Sequence, residues 1–238
     1  MKLLFVLIPL ASCIVFSSPN ILGQERSLLA RSAEYANALR QFQAKGNRRS
    51  VEGLIKKGKY VSAKIGEIES LSETDYSLLK RRMKGFHVNR EEILFIEPEL
   101  KYFLELSRKT GTAADIAYFT LMRKVKPDDI WTAYIQQQTD YSGCTVYGNG
   151  MLTKLYGEIL KFRRSYPNSY ADNIDEAKDE ILEKFSENGC SCGDANGVMR
   201  EFRLFVRTYP KDKNIPRIRT NLNQLKKPGS FRFNCHSG

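Results

Sequence analysis

Histidine is almost missing from this chain: His87 and His236 are the only two in 238 residues. That leaves little scope for histidine-based acid–base catalysis. A Gly-rich phosphate loop, a nucleophile elbow and a zinc-binding helix motif are also missing. Beyond the N-terminus, no run is apolar enough to span a bilayer. Low-complexity tracts are absent too, since Gln136-Gln137-Gln138 is too short to count as one. A hydrophobic content of 42% with 11% aromatics excludes general disorder and allows one large domain or two small ones.

What is present begins with an address. Met1-Lys2 supplies a short positive start, Leu3 to Phe16 is almost wholly apolar, and Ser17-Ser18-Pro19 breaks the run. Gly23 then precedes the polar Gln24-Glu25-Arg26. This is the pattern of a secretory signal peptide over residues 1–23, with a retained anchor as the alternative. Leu10-Ala11-Ser12-Cys13 also resembles a lipobox, although apolar Ile14-Val15-Phe16 follows where a polar tether is normal. The expected location is therefore periplasmic or secreted, with lipid anchoring through Cys13 as a lesser alternative. The formal charge is +11, and it stays strongly positive after cleavage because Lys2 is the only charged residue in 1–23. A basic exported chain meets anionic lipid, acidic polysaccharide or an acidic partner more readily than nucleic acid.

The sequence predicts a mainly α fold, with helical hairpin repeats at the C-terminal end and a small antiparallel β element within residues 51–98. Residues 24–44 have helical spacing and stop at Gly46-Asn47. Gly53, Gly58 and Gly66 interrupt the next, basic segment, where Tyr60 to Ile65 reads as helix or strand. Ser72-Glu73-Thr74-Asp75 opens a helix closed by Gly85. Phe86-His87-Val88 and Ile93-Leu94-Phe95-Ile96 read as two strands around a turn. Helices follow from Glu99 and from the capping box Thr112–Asp115. Another is expected from Pro127, with Trp131, Tyr134 and Ile135 on its buried side. The N-terminal region, 24–140, is thus mainly helical.

Residues 141–238 read as one helical hairpin written twice. In the first copy Leu152, Leu155, Tyr156, Ile159 and Phe162 form a stripe, Tyr166-Pro167 stops the helix, and Tyr170, Ile174, Ala177, Ile181 and Phe185 mark a second helix. In the second copy Val198, Phe202, Phe205 and Tyr209 form a stripe about one turn shorter. Tyr209-Pro210 stops it, and Ile215, Ile218, Leu222 and Leu225 follow. The copies are offset by 43 residues from Ile159 to Pro167 onto Phe202 to Pro210. Residues 172–187 carry seven acids against two lysines, whereas 200–238 carry ten Lys/Arg against Glu201 and Asp212. Opposite charge on adjacent helices is one way to set how the copies stack.

The run Tyr166-Pro167-Asn168-Ser169-Tyr170-Ala171-Asp172 resembles the tetratricopeptide-type helical repeats of bacterial envelope proteins. There an aromatic helix runs into Tyr-Pro-Asn-Ser and then an Ala-rich helix. The resemblance covers residues 150–226, and the second copy departs from it at Lys211-Asp212-Lys213. It implies a protein-binding scaffold. Two hairpins are fewer than the roughly three that a self-supporting stack needs, so other helices or disulfides must support them.

Setting Cys13 aside leaves Cys144, Cys190, Cys192 and Cys235, an even count that favours disulfides in an exported protein. Repeat symmetry favours Cys144–Cys190 with Cys192–Cys235. The crossed pairing, Cys144–Cys192 with Cys190–Cys235, is the alternative. A zinc site from Cys190, Cys192, Cys235 and His236 would need Cys-x-Cys spacing in place of the usual Cys-x2-Cys. No catalytic, cofactor-binding or metal residue is assigned. Glu91, Glu92, Glu97 and Glu99 are the only acidic cluster that suggests a carboxylate pair for sugar hydrolysis, and a solvated acidic face explains it as well. The expected function is a non-enzymatic exported scaffold that binds a protein between its hairpins, using side chains from Phe162 to Tyr170 and Arg200 to Tyr209. A binder of anionic polymer or lipid through the basic C-terminal region is the alternative, and an unrecognised hydrolase the third reading.

Overall fold

The computed structural model describes residues 27–44, 48–91, 93–139, 142–185, 190–225 and 232–233. The expectations for residues 1–23, Cys13, Glu92, Cys235 and His236 lie outside the described residues. Those residues form nine α-helices and two small sheets, so the fold is mainly α with a small antiparallel β element.

The chain starts as a helix pair, α1 (Leu28–Ala44) packed on α2 (Glu52–Ser62). The ambiguous Tyr60–Ile65 segment is helical through Ser62, and a 3-10 turn, Ile65–Glu67, follows. Gly58 does not break α2. The Phe86 ring lies so close that a Cβ at Gly58 would sit 1.9 Å from its Cζ, so glycine is what lets the two surfaces meet. α3 (Glu73–Arg82) is capped by Ser72, whose Oγ accepts the Asp75 N–H at 3.1 Å. The expected strand pair follows: β1 (Phe86–Asn89) runs antiparallel to β2 (Phe95–Pro98), and β2 lies on α2.

α4 (Leu100–Thr110) and α5 (Ala113–Val125) form a hairpin around Gly111-Thr112. Both bonds of the Thr112–Asp115 capping box are made. Asp115 is fully buried and does more than cap. Its Oδ1 also accepts the Val51 N–H at 3.1 Å and the Tyr170 hydroxyl at 2.6 Å, tying three separate segments together.

The helix expected from Pro127 does not form. Lys126 leaves helical angles before the proline, and the Asp128 carboxylate accepts the N–H groups of Ile130 (3.1 Å) and Trp131 (2.7 Å), which holds a turn instead. Tyr134 is buried as expected, but Ile135 begins a strand. β3 (Ile135–Gln137) and β4 (Gly143–Thr145) pair antiparallel. β5 (Cys190–Ser191) and β6 (Arg232–Phe233) then add in parallel, in the order β3-β4-β5-β6.

The twinned region folds as α6 (Met151–Ser165) with α7 (Ala171–Lys184), then α8 (Ala195–Thr208) with α9 (Ile215–Gln224). The predicted stripes of α6 and α7 are buried throughout. In the second copy Val198, Phe202, Phe205, Ile215, Ile218 and Leu225 are buried, with Tyr209 and Leu222 partly so. α8 is not a turn shorter than α6: Asp194 caps it before Asn196-Gly197, giving 14 residues against 15. α4–α5 packs onto α6 and supplies the third hairpin of the row. One hydrophobic cluster runs from Leu28 to Leu225 through all of these helices.

The described ion pairs of α7 reach Lys59, Arg163 and Lys178. The copies meet through Phe185 against Phe202 and Phe205, and through reciprocal tyrosine bonds. Tyr209 donates to the Thr153 carbonyl at 2.9 Å, and Tyr156 donates to Asp212. Fully buried Glu201 of α8 adds a third tie, because its carboxylate accepts the amides of Gly148, Gly150 and Thr153 around the start of α6.

The favoured Cys144–Cys190 pairing is corrected: Cys144 bonds Cys192, with Cα atoms 5.0 Å apart at a sequence separation of 48. β5 stops at Ser191 and the chain bends at Cys192, whose N–H donates to the Thr145 carbonyl at 3.0 Å. Cys190 instead sits in the ladder opposite Arg232 of β6. Cys190 is disulfide-bonded too, to neither Cys144 nor Cys192.

Candidate binding groove

A groove of about 400 Å³ opens where the N-terminal helix pair and strand pair face α5 and α7. Helical spacing presents each wall. Ile55, Lys59 and Ser62 recur along one side of α2, and Asn173, Glu176, Ala177 and Glu180 along one side of α7. Its floor is apolar, from Ile55, Phe86, Ile96, Tyr118, Phe119 and Met122. Burial pushes the Tyr118 hydroxyl well above the usual phenol range, so it serves the floor as a neutral group.

The rim is charged and unevenly paired. Lys59 reaches across to Glu176 at 2.7 Å, a strap between α2 and α7 at the mouth. His87 Nε2 lies 3.0 Å from Asp129 Oδ2, and Asp129 has a positive φ of 69° in the turn that replaces the expected helix. Glu97 stands opposite His87 across the strand pair. Among the described residues no hydrogen bond or ion pair reaches the side chains of Glu97, Lys126 or Glu180. Burial holds the Glu180 carboxyl above the usual range, with Lys126 acting against the shift. Four carboxylates and two lysines line this site, in a chain whose net charge is +11.

Ser62 Oγ donates to the carbonyls of Ile96 (2.8 Å) and Gly58 (3.2 Å), not to His87. Of the acidic cluster in the sequence, Glu97 enters the groove, Glu91 lies in the connecting loop and Glu99 precedes α4. Among the described residues no group of three His, Cys, Asp or Glu side chains is placed to hold a metal ion.

Of the side chains expected to line a binding surface, Phe162, Tyr170, Phe202 and Phe205 are core. The arginines behave differently. Arg200, Arg203 and Arg207 are exposed along α8 and, with Leu204 and Gly148, line a shallow basic shelf of about 310 Å³. The groove residues Lys59, Lys126, Asp129, Glu176 and Glu180 were not singled out by sequence. The one available signal was the spacing of acids at 172, 176, 180 and 183 beside the apolar stripe of α7.

Among the described residues no helix is long and apolar enough to cross a membrane. No protein-family model matches the chain, and no curated protein or solved structure matches it.

Proposed function

We propose that this chain is an exported, non-enzymatic binding protein of the tetratricopeptide-like type, which takes a segment of another protein in the groove between α2, β2, α5 and α7. The observation that carries this reading is the combination of an apolar floor and a charged rim in one concave site, the usual composition of a specific binding pocket. The row of three hairpins supports the repeat resemblance, because it meets the minimum for a self-supporting stack. The Cys144–Cys192 bond is consistent with export.

A photo-crosslinking amino acid at Ala63 or Asn173 tests it in the envelope fraction, with the same group at exposed Thr220 as control. The expected result is one discrete adduct from the two groove positions, lost when Met122→Trp fills the floor. Equal labelling from Thr220, or adducts that survive the filled floor, would refute it.

The exposed Arg200–Arg203–Arg207 row favours a second reading, binding of an anionic polymer or lipid surface. That binding would fall steeply with added salt because it engages many charges, whereas docking on an apolar floor with one or two charges at the rim falls less.

A further inference from the structure

We infer that the segment taken by the groove is cationic: an apolar side chain rests on the floor while a neighbouring arginine or lysine reaches Glu97 and Glu180. This rests on the groove being a protein-binding site, and adds to it the chemistry of the partner.

Two of the four carboxylates already have partners. Glu176 has Lys59 and Asp129 has His87, whereas Glu97 and Glu180 have no ion-pair partner among the described residues. A carboxylate held partly out of water gains most from a cation that completes its hydrogen bonds, since charge-assisted bonds are about twice as strong as neutral ones. Burial raises the Glu180 titration range, which is the signature of a carboxylate short of compensating charge. Lys126 lies near enough to oppose that shift but makes no ion pair with it.

Charge segregation points the same way. The chain as a whole is strongly basic, yet this concave site has an excess of acids. An anionic segment would meet Glu97, Asp129, Glu176 and Glu180 with only Lys59 and Lys126 in its favour. A purely apolar segment would fill the floor and leave two carboxylates further desolvated, a direct penalty. The volume, about 400 Å³, is near the low end for a specific pocket, so it seats a short stretch of chain rather than a whole helix. Arginine fits better than lysine, because its planar fork pairs with a carboxylate through two hydrogen bonds where an ammonium acts as a point charge.

The probe is a fluorescein-labelled peptide, Leu-Arg-Leu flanked by glycines, compared with versions carrying citrulline or glutamate in place of arginine. Anisotropy titrations use the oxidised chain lacking residues 1–23, the form expected after export. The arginine peptide should bind at least tenfold more tightly than the citrulline peptide. The preference should shrink to about threefold or less in the Glu97→Gln/Glu180→Gln double variant, whose fold is checked by circular dichroism. If citrulline binds as tightly as arginine, the cationic assignment fails and the groove remains a protein site. If the preference persists in the double variant, the cation is bound elsewhere and the assignment fails. If no peptide binds at millimolar concentration, the protein-binding reading itself falls.

Discussion

Glu201→Ala is the sharpest single perturbation of this fold. Glu201 lies fully buried on α8 and closes the start of a different helix, α6. One carboxylate oxygen accepts Gly148 N–H at 3.0 Å and Gly150 N–H at 2.8 Å. The other accepts the Thr153 N–H at 3.1 Å and its hydroxyl at 2.9 Å. Gly148 and Gly150 have φ of 86° and 76°, angles open to glycine that turn their amides toward one point. Alanine removes the acceptor from three amides at once and leaves a cavity. Losing a helix cap costs about 1 kcal/mol. Stripping one partner from a buried, charge-assisted network costs about 3–5 kcal/mol in all, because its bonds do not add independently. That is a large share of the ~5–15 kcal/mol that stabilises a typical domain. Glu201→Gln keeps the shape and one oxygen but turns an amide NH2 toward one pair of donors, so its loss should be smaller, about 2–3 kcal/mol. Urea unfolding followed by Trp131 fluorescence and circular dichroism gives the stabilities. Hydrogen exchange at Gly148, Gly150 and Thr153 gives the local effect. A loss below about 1 kcal/mol for Glu201→Ala, or unchanged exchange at those amides, would refute the capping role.

Further outcomes follow from the same contacts. Gly58→Ala should destabilise by about 1–3 kcal/mol despite alanine's better helix propensity, because its Cβ would meet the Phe86 ring, and Phe86→Leu in the same chain should recover much of the loss. Failure of the second change to rescue would locate the cost elsewhere. Fragmentation of the unreduced tryptic peptides between Cys190 and Cys192 should link Cys144 to Cys192 and Cys190 to Cys235, and a Cys144–Cys190 link would contradict the fold. By the chain-entropy model the 48-residue separation makes the Cys144–Cys192 bond worth about 4 kcal/mol, measurable as the loss in Cys144→Ser/Cys192→Ser. Glu180 holds its proton more tightly folded than unfolded, so its contribution is favourable at low pH and is lost as pH rises through its raised range. Facing Lys126 and Lys184 reduce this effect, while neighbouring Glu176 and Glu183 add to it. Glu180→Gln should therefore raise Tm at pH 8 and leave it unchanged below the ordinary glutamate range near ~4. Because the side chain remains partly exposed, the gain should stay under about 1 kcal/mol, and equal gains at pH 3 and pH 8 would contradict this account.

Much of the secondary structure was legible because its signals are local. Ser72 and Thr112 start helices through bonds to residues three positions on, and Tyr166-Pro167 and Tyr209-Pro210 stop them by the steric demand of proline. The apolar stripes of α6 to α9 named the core because burial follows the helical period. The second sheet was not legible. Its strands are two or three residues long, Ile-Gln-Gln, Gly-Cys-Thr, Cys-Ser and Arg-Phe, too short for an alternation to read.

The candidate groove illustrates the same divide. Its residues come from α2, β2, α5 and α7, and local sequence does not encode that Glu180 and Met122 line one groove or that Lys59 reaches Glu176. Charge counting even misassigned two acids. Glu201 and Asp212 looked like minor offsets on a basic surface, yet one is an internal cap and the other receives the Tyr156 hydroxyl. By itself, then, the sequence determined the helices that carry caps, apolar stripes and Tyr-Pro stops, together with the twinned hairpins, as short-range consequences of period, caps and prolines, but not the turn that stands after Pro127. Tertiary structure alone decided which cysteine met Cys144, which carboxylates became internal and where a groove opened. Those outcomes depend on distances between segments far apart in the chain, set by packing around one shared core.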